Sequence, residues 1–169
     1  EAVLDALAHI QIDFIAHPDK TQVLLNGEDV SDEIRLMYIS DMVSEVSALA
    51  EVRKAMVAQQ QDLGKRRNIV MDGRDIGTTV FPDANLKIFM TASPSVRAER
   101  RFAELNAKGE NSSMDEVMAN LSHRDHIDST RKESPLRQAE DAFVLDNSDL
   151  SQGEQLEIVL QEYNRIKSA

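Results

Sequence analysis

The sequence predicts an α/β domain built on a parallel sheet, and three observations carry that prediction. From residue 68 onward, short apolar runs alternate with helix-length segments, the pattern of strands joined by crossover helices. Two of those runs, at 68–72 and 86–90, bracket a loop dense in acids, arginines and glycines, and open α/β sheets bind ligands at such loops. Helix-start signals recur at Ser93-Pro94, at Ser113 with Glu116 and at Ser151 with Glu154.

Residues 2–7 read as the end of a helix. Polar and apolar residues alternate over 9–14, and the apolar run 21–25 follows after His17-Pro18-Asp19-Lys20, which predicts a half-exposed antiparallel pair. Asn26-Gly27 makes a turn into a short strand at 28–30. Ser31 stands where an N-cap belongs, with Asp32 and Glu33 at the positive end of a helical region spanning about 32–63 with interruptions. Met42, Val46 and Leu49 supply its expected buried face, continued less cleanly by Val52, Met56 and Gln60. Strands are expected at 68–72, 86–90 and 142–146. One helix should run from Pro94 to Gly109, a second from Ser113 to about Asp128, and a third after Ser151. In that last helix Leu156, Val159, Leu160, Tyr163 and Ile166 form an apolar stripe expected to pack on the sheet.

A chain of 169 residues has room for one α/β domain with a small insertion. Its net charge of -11 argues against a general nucleic-acid binder, so any phosphate must be held by individual arginines. Cysteine is absent, which excludes disulfides and thiolate zinc sites. No apolar run reaches membrane-spanning length and no signal-peptide pattern opens the chain, so a soluble cytoplasmic protein, expected to be a monomer, is the reading.

The stretch Asp72-Gly73-Arg74-Asp75-Ile76-Gly77-Thr78-Thr79-Val80-Phe81-Pro82-Asp83-Ala84 concentrates the chemistry. Arg74 can grip a phosphate with two donors, and Asp75 can accept from an amino group or pair with an arginine. Asp72, at the strand end, can reach magnesium through water or cap the turn. Arg124, Asp128 and Arg131 stand at i, i+4 and i+7, able to bind a sugar phosphate together; an exposed salt-bridge ladder is the commoner explanation at this spacing. Arg97, Arg100 and Arg101 share one helical face, with pairing to Glu99 and Glu104 as the alternative to an anion. His123 and His126 lack further ligands and read as an exposed pair.

The loop motif, followed by Lys87-Ile88-Phe89, resembles the signature of bacterial cytidylate kinases, Asp-Gly-Arg-Asp-x-Gly-Thr-x-Val-x-Pro-x-Ala before a Lys-Ile-Phe strand. The resemblance extends from Asn26-Gly27-Glu28-Asp29-Val30-Ser31 through Ser44-Glu45-Val46-Ser47-Ala48, Val52-Arg53 and Arg124-Asp125-x-x-Asp128-x-x-Arg131 to Asp141-Ala142-Phe143-Val144-Leu145-Asp146. It implies a P-loop kinase-like parallel sheet flanked by helices, with residues 1–8 ending a core helix, 9–66 forming an acceptor-binding insertion and 67–169 the core, including a helical lid at about 94–131. It implies transfer of the terminal phosphoryl group of ATP to CMP or dCMP, with Mg2+. By the same match Ser44, Arg53 and Asp75 contact cytosine, Asp128 meets the ribose, and Arg74, Arg124 and Arg131 clamp phosphate. Arg97, Arg100 and Arg101 serve the lid over the donor, and the guanidinium ends of Arg124 and Arg131 are expected to face phosphate rather than protein.

A P-loop of the form G-x-x-x-x-G-K-[ST] is absent; Gly64-Lys65-Arg66 lacks the first glycine and the hydroxyl, and the chain begins at Glu1. The expectation is that an N-terminal piece carrying the central strand is missing and that these residues alone are inactive and poorly stable. A nucleotide-binding or interaction protein without kinase activity is the alternative reading, and a kinase for UMP or for a non-nucleotide alcohol is a second.

Overall fold

The computed structural model describes residues 2–65 and 68–168. Its elements run α1 (Ala2–Leu7), β1 (Ile12–Ala16), β2 (Thr21–Leu25), β3 (Glu28–Asp29), a 3-10 turn (Glu33–Arg35), α2 (Met37–Ser47), α3 (Ala50–Gly64), a π-helical turn (Ile76–Val80), β4 (Ile88–Thr91), α4 (Pro94–Ala107), α5 (Met114–Thr130), β5 (Phe143–Asp146) and α6 (Gln152–Lys167). The expected boundary at 66–67 between insertion and core, with the Arg66 of the Gly64-Lys65-Arg66 run, lies outside the described residues.

β1, β2 and β3 form an antiparallel sheet, with Ile12 opposite Leu25 and Leu25 opposite Glu28. β1 therefore starts at Ile12, not at residue 9. Asn26 and Gly27 have φ of 52° and 87°, the two successive left-handed residues of a type I′ turn, whose twist matches the flanking strands. Ser31 does not cap the following helix. Its Oγ accepts from Val23 N at 2.8 Å and donates to Asp29, so the serine locks the hairpin instead, while Asp32 holds the N-cap position of the 3-10 turn with no side-chain cap bond.

The helical region breaks between Ser47 and Ala50, and its apolar face is not the buried one. Met42, Val46 and Leu49 are about half exposed, whereas Ser40 and Ser44 are buried; Val52 on α3 is buried as expected. The reason lies opposite α2, where α5 brings arginines.

β4 and β5 pair in parallel, Ile88 opposite Phe143 and Thr91 opposite Asp146, and α4 and α5 make the crossover between them. Residues 68–72 form no strand. An apolar run becomes a strand only when a neighbour takes up its N–H and C=O groups, and no ladder joins this run to a described strand; Val70 is fully exposed. Nor does it pair with β4. The α6 stripe differs from expectation for a related reason: Leu156, Leu160 and Tyr163 are exposed, and no α6 residue is buried. Two four-residue strands present too narrow a surface to cover a four-turn helix.

The core sits in the crossover, where Ala98, Leu105 and Val117 are buried against Met37, Phe102, Met114 and Leu121. Burying a side chain such as Leu105 contributes about 1.5 to 3 kcal/mol. Ser93 caps α4, its side chain accepting from Val96 N, with Pro94 in the first turn, and Gly109 past the end adopts φ of 80°. No described helix is long and apolar enough to cross a membrane.

Both predicted capping boxes form, Ser113 with Glu116 on α5 and Ser151 with Glu154 on α6. The Ser113 backbone N–H and then its hydroxyl hold the Glu116 carboxyl below its ordinary value; on α6 the Ser151 hydroxyl leads and its backbone follows. A carboxyl lowered in the folded state adds stability that is complete above its unfolded value and is lost as pH falls through the lowered one. Thermal melting followed from about pH 6 down to about pH 3 should therefore fall, and Ser113→Ala with Ser151→Ala should flatten part of the fall. Identical slopes in parent and variant would show that the caps contribute none of it.

Candidate active site

The acidic loop after residue 72 is held in one shape by its backbone. A Cβ on Gly73 would stand 2.9 Å from Ile76 Cγ1, so glycine lets the chain pass close to its own next turn. The Asp75 carbonyl then accepts from Thr79 N at 2.8 Å and from Thr78 and Val80 N at 3.3 Å, closing the π-helical turn. Such turns are rare and concentrate at functional sites. Gln61 Nε2 on α3 donates to Val80 O at 3.2 Å, and Val80 is buried, which seats α3 against the turn. That contact aligns Arg53 of α3 with Asp75 as a buried ion pair.

α5 continues to Thr130, so Arg124, Asp128 and Arg131 do lie along one face. They are not an exposed ladder. Asp128 Oδ2 accepts from Arg74 Nε at 3.0 Å, and Oδ1 accepts from Arg131 Nη1 at 3.1 Å. Arg131 Nε also donates to Ser134 O at 2.9 Å. Facing this row is a serine row on α2, Ser40, Ser44 and Ser47, with the same spacing: Arg124 Nη1 donates to Ser40 Oγ at 2.8 Å and Arg131 Nη1 to Ser47 Oγ at 3.4 Å. Small hydroxyls on one helix leave room for guanidinium groups on the other. Residue exposures are 2% for Ser44, 5% for Asp75, 3% for Asp128 and 8% for Arg131, so the polar groups meet away from solvent.

Three arginines, Arg53, Arg74 and Arg131, thus share the two carboxylates Asp75 and Asp128, and Arg124 adds a fourth guanidinium with no carboxylate of its own. Burial first, and then the neighbouring Arg74 charge, pushes the Arg124 guanidinium below its ordinary value; for Arg131 the causes are burial and then Arg53. Ser44 Oγ, Arg53 Nε, Arg124 Nε and Arg131 Nη2 are buried without a hydrogen-bond partner among the described residues. Buried donors left unpaired are costly, and excess positive charge compounds the cost. An anion carrying several acceptors would relieve both.

The three arginines of α4 do not converge there. Arg97 pairs with Asp125 at 2.7 Å, and Arg101 donates to Glu104 and to Arg35 O, each at 2.8 Å. Arg100 donates to Asn147 Oδ1 at 2.8 Å and to its carbonyl at 2.7 Å, clamping the end of β5. Asp72 is exposed and makes no hydrogen bond or ion pair among the described residues, where no cluster of three metal-ligating side chains occurs. Magnesium commonly takes one or two carboxylates, waters and substrate phosphates, so a lone free carboxylate fits a water-mediated contact and nothing stronger. His123 meets Glu45 at 2.7 Å, bridging α5 and α2.

Two cavities border the arginines. One of about 250 Å³ has Ile34, Ile39, Val43 and Leu121 as apolar walls and is edged by Arg101 and Arg124. Another of about 260 Å³ is lined by Arg53, Lys54, Gln61, Thr79, Glu133 and Ser134. Sequence reading missed Ser40 and Ser47. The signal was present in the repeat of serine at 40, 44 and 47, which parallels 124, 128 and 131.

A family model described as cytidylate kinase matches residues 1–165. A cytidylate kinase of Bacteroides fragilis is 53% identical over 165 residues, covering 96% of this chain and 72% of that protein. One from Parabacteroides distasonis is 56% identical over 150 residues, 89% of this chain and 66% of that protein. One from Flavobacterium johnsoniae is 49% identical over 168 residues, 98% of this chain and 73% of that protein.

Proposed function

Since the chain belongs to the cytidylate kinase family and is a nucleoside monophosphate kinase, we propose that it moves the terminal phosphoryl group of ATP to CMP or dCMP, giving CDP or dCDP. The observation that carries this reading is the set of unpaired buried donors on Arg53, Arg124, Arg131 and Ser44 around Asp75 and Asp128. A nucleoside monophosphate brings the complement: a phosphate for guanidiniums, a sugar hydroxyl for a carboxylate, and a base edge with donor and acceptors.

Arg124, Arg131 and Arg74 hold the acceptor's phosphate. Asp128 keeps a lone pair on each oxygen after its bonds to Arg74 and Arg131, and with it accepts from a sugar hydroxyl. Asp75 accepts from the exocyclic amino group of cytosine, while Arg53 and Ser44 donate to its carbonyl and ring nitrogen. A pyrimidine with oxygen in place of that amino group leaves a buried carboxylate facing an acceptor, and a site of this kind discriminates strongly. Phosphoryl transfer needs little covalent help, so positioning and charge neutralisation by these arginines supply most of the rate. Magnesium, when bound, screens the phosphate charges, and Asp72 would hold it through water. Residues 9–66 serve as the acceptor-binding region and 94–131 as the lid, from which Arg97, Arg100 and Arg101 would release their protein partners to meet the donor on closure.

A coupled assay of the intact protein with CMP, dCMP, UMP and AMP tests the reading. CMP and dCMP should be phosphorylated much faster than UMP or AMP. AMP as the best acceptor would overturn it.

A further inference from the structure

Arg124 enters the site from α5, but the groups that orient it lie behind it. Its Nη1 donates to Ser40 Oγ at 2.8 Å, Ser40 Oγ donates to Asn120 Oδ1 at 3.1 Å, and Asn120 Nδ2 donates to Asp41 Oδ1 at 2.6 Å. The direction of this chain is fixed by its far end. An ionised carboxylate only accepts, so Asp41 requires the amide of Asn120 to present its nitrogen, which turns the amide oxygen toward Ser40. Ser40 must then spend its single proton on Asn120, and its lone pairs are left to Arg124. With the amide reversed, two oxygens would face each other at Asp41 and the Ser40 proton would have no acceptor in this chain.

Ser40 is buried, so water does not readily substitute for it. The guanidinium is thereby held by one nitrogen, while its Nε stays buried and unpaired, in the field of Arg74, Asp128, Arg101 and Asp125. We propose that Ser40, Asn120 and Asp41 are positioning residues of the acceptor clamp, a relay that aims the free donors of Arg124 at the acceptor's phosphate. This rests on the reading of Arg124 as a phosphate ligand. The relay joins α2 to α5.

The test uses the intact protein with Ser40→Ala, Ser40→Thr, Asn120→Ala, Arg124→Ala and the double variants Ser40→Ala/Asn120→Ala and Ser40→Ala/Arg124→Ala. CMP KM, ATP KM, kcat and Tm are measured for each. Loss of a hydrogen bond to a charged group should raise CMP KM about tenfold in Ser40→Ala, with ATP KM and Tm near the parent's. Ser40→Thr should restore CMP KM. Removing Asn120 as well should add little, and Ser40→Ala should add nothing once Arg124 is gone, because residues acting through one guanidinium are not additive. A damaged Arg124→Ala beside a Ser40→Ala with parental CMP KM would overturn the relay alone. So would a Ser40→Ala effect that persists undiminished without Arg124, or one that Ser40→Thr fails to restore while Tm holds. Parental CMP kinetics in Arg124→Ala would overturn the phosphate-ligand reading, and the relay with it.

Discussion

Asp75→Ala is expected to lose both stability and acceptor phosphorylation, and the loss of stability is the larger surprise from a sequence standpoint. The sequence leaves open whether Asp75 meets an amino group or pairs with an arginine, and the resemblance implies a contact to the base. In the structure Asp75 is buried and is the ion-pair partner of Arg53, whose Nε already has no hydrogen bond. Removing one member of a buried pair strands the other charge at a cost of about 3 to 5 kcal/mol. For a chain of this size that is a fall in Tm of roughly 6 to 20 °C. The backbone carbonyl that closes the π-helical turn survives the substitution, so the turn itself should persist.

A second variant separates the two roles. Arg53→Met with Asp75→Leu removes both charges and replaces them with apolar volume, which often recovers stability lost by breaking a buried pair. The double variant should melt above Asp75→Ala yet remain unable to use CMP. If it regained CMP phosphorylation together with its stability, Asp75 would be a structural partner of Arg53 and nothing more.

What the sequence revealed and what it concealed divide along one line. Local devices were legible: the Asn26-Gly27 turn, the capping boxes at Ser113 and Ser151, and Pro94 in the first turn of α4 each depend on a few neighbouring residues. Residues 68–72, by contrast, have strand-like composition and no ladder, since pairing depends on what lies alongside. The burial of α2 inverted for the same reason. Its apolar Met42, Val46 and Leu49 read as core, but the face that meets α5 is the serine face. At the site, the face shared by Arg124, Asp128 and Arg131 followed from spacing, whereas the resemblance was needed to choose a ligand-binding reading over an exposed ladder. No property of Ser40 or Asn120 alone marks them. The serine spacing at 40, 44 and 47 is visible in the sequence, but what it faces, and Asn120 with it, becomes readable only when α2 and α5 are brought together.

Arg124→Ala and Arg131→Ala are expected to part company, although the sequence treats them alike. Arg131 is enclosed by protein: it donates to Asp128, Ser47 and Ser134, and its residue exposure is 8%. Removing it leaves Asp128 buried with Arg74 as its remaining cation and frees the segment after α5. Arg131→Ala should therefore lower turnover and Tm together. Arg124 is only partly buried and makes one hydrogen bond to protein, to Ser40. Its removal opens no buried ion pair, while on the proposed reading it withdraws a guanidinium from the acceptor's phosphate. Groups that act mainly on the moving charge cost about a hundredfold or more in kcat when lost, so Arg124→Ala should fall by about that factor with Tm nearly unchanged. Parallel measurement of kcat and thermal melting decides the matter. Equal losses of stability in the two variants would mean that Arg124 is a strut of the α2 and α5 interface, and turnover within about twofold of the parent would remove it from the clamp. A stable, slow Arg124→Ala beside an unstable Arg131→Ala is the outcome that the geometry requires, because only Arg131 is ion-paired to a buried carboxylate and tied to two further protein groups, although each guanidinium keeps one unpaired buried nitrogen.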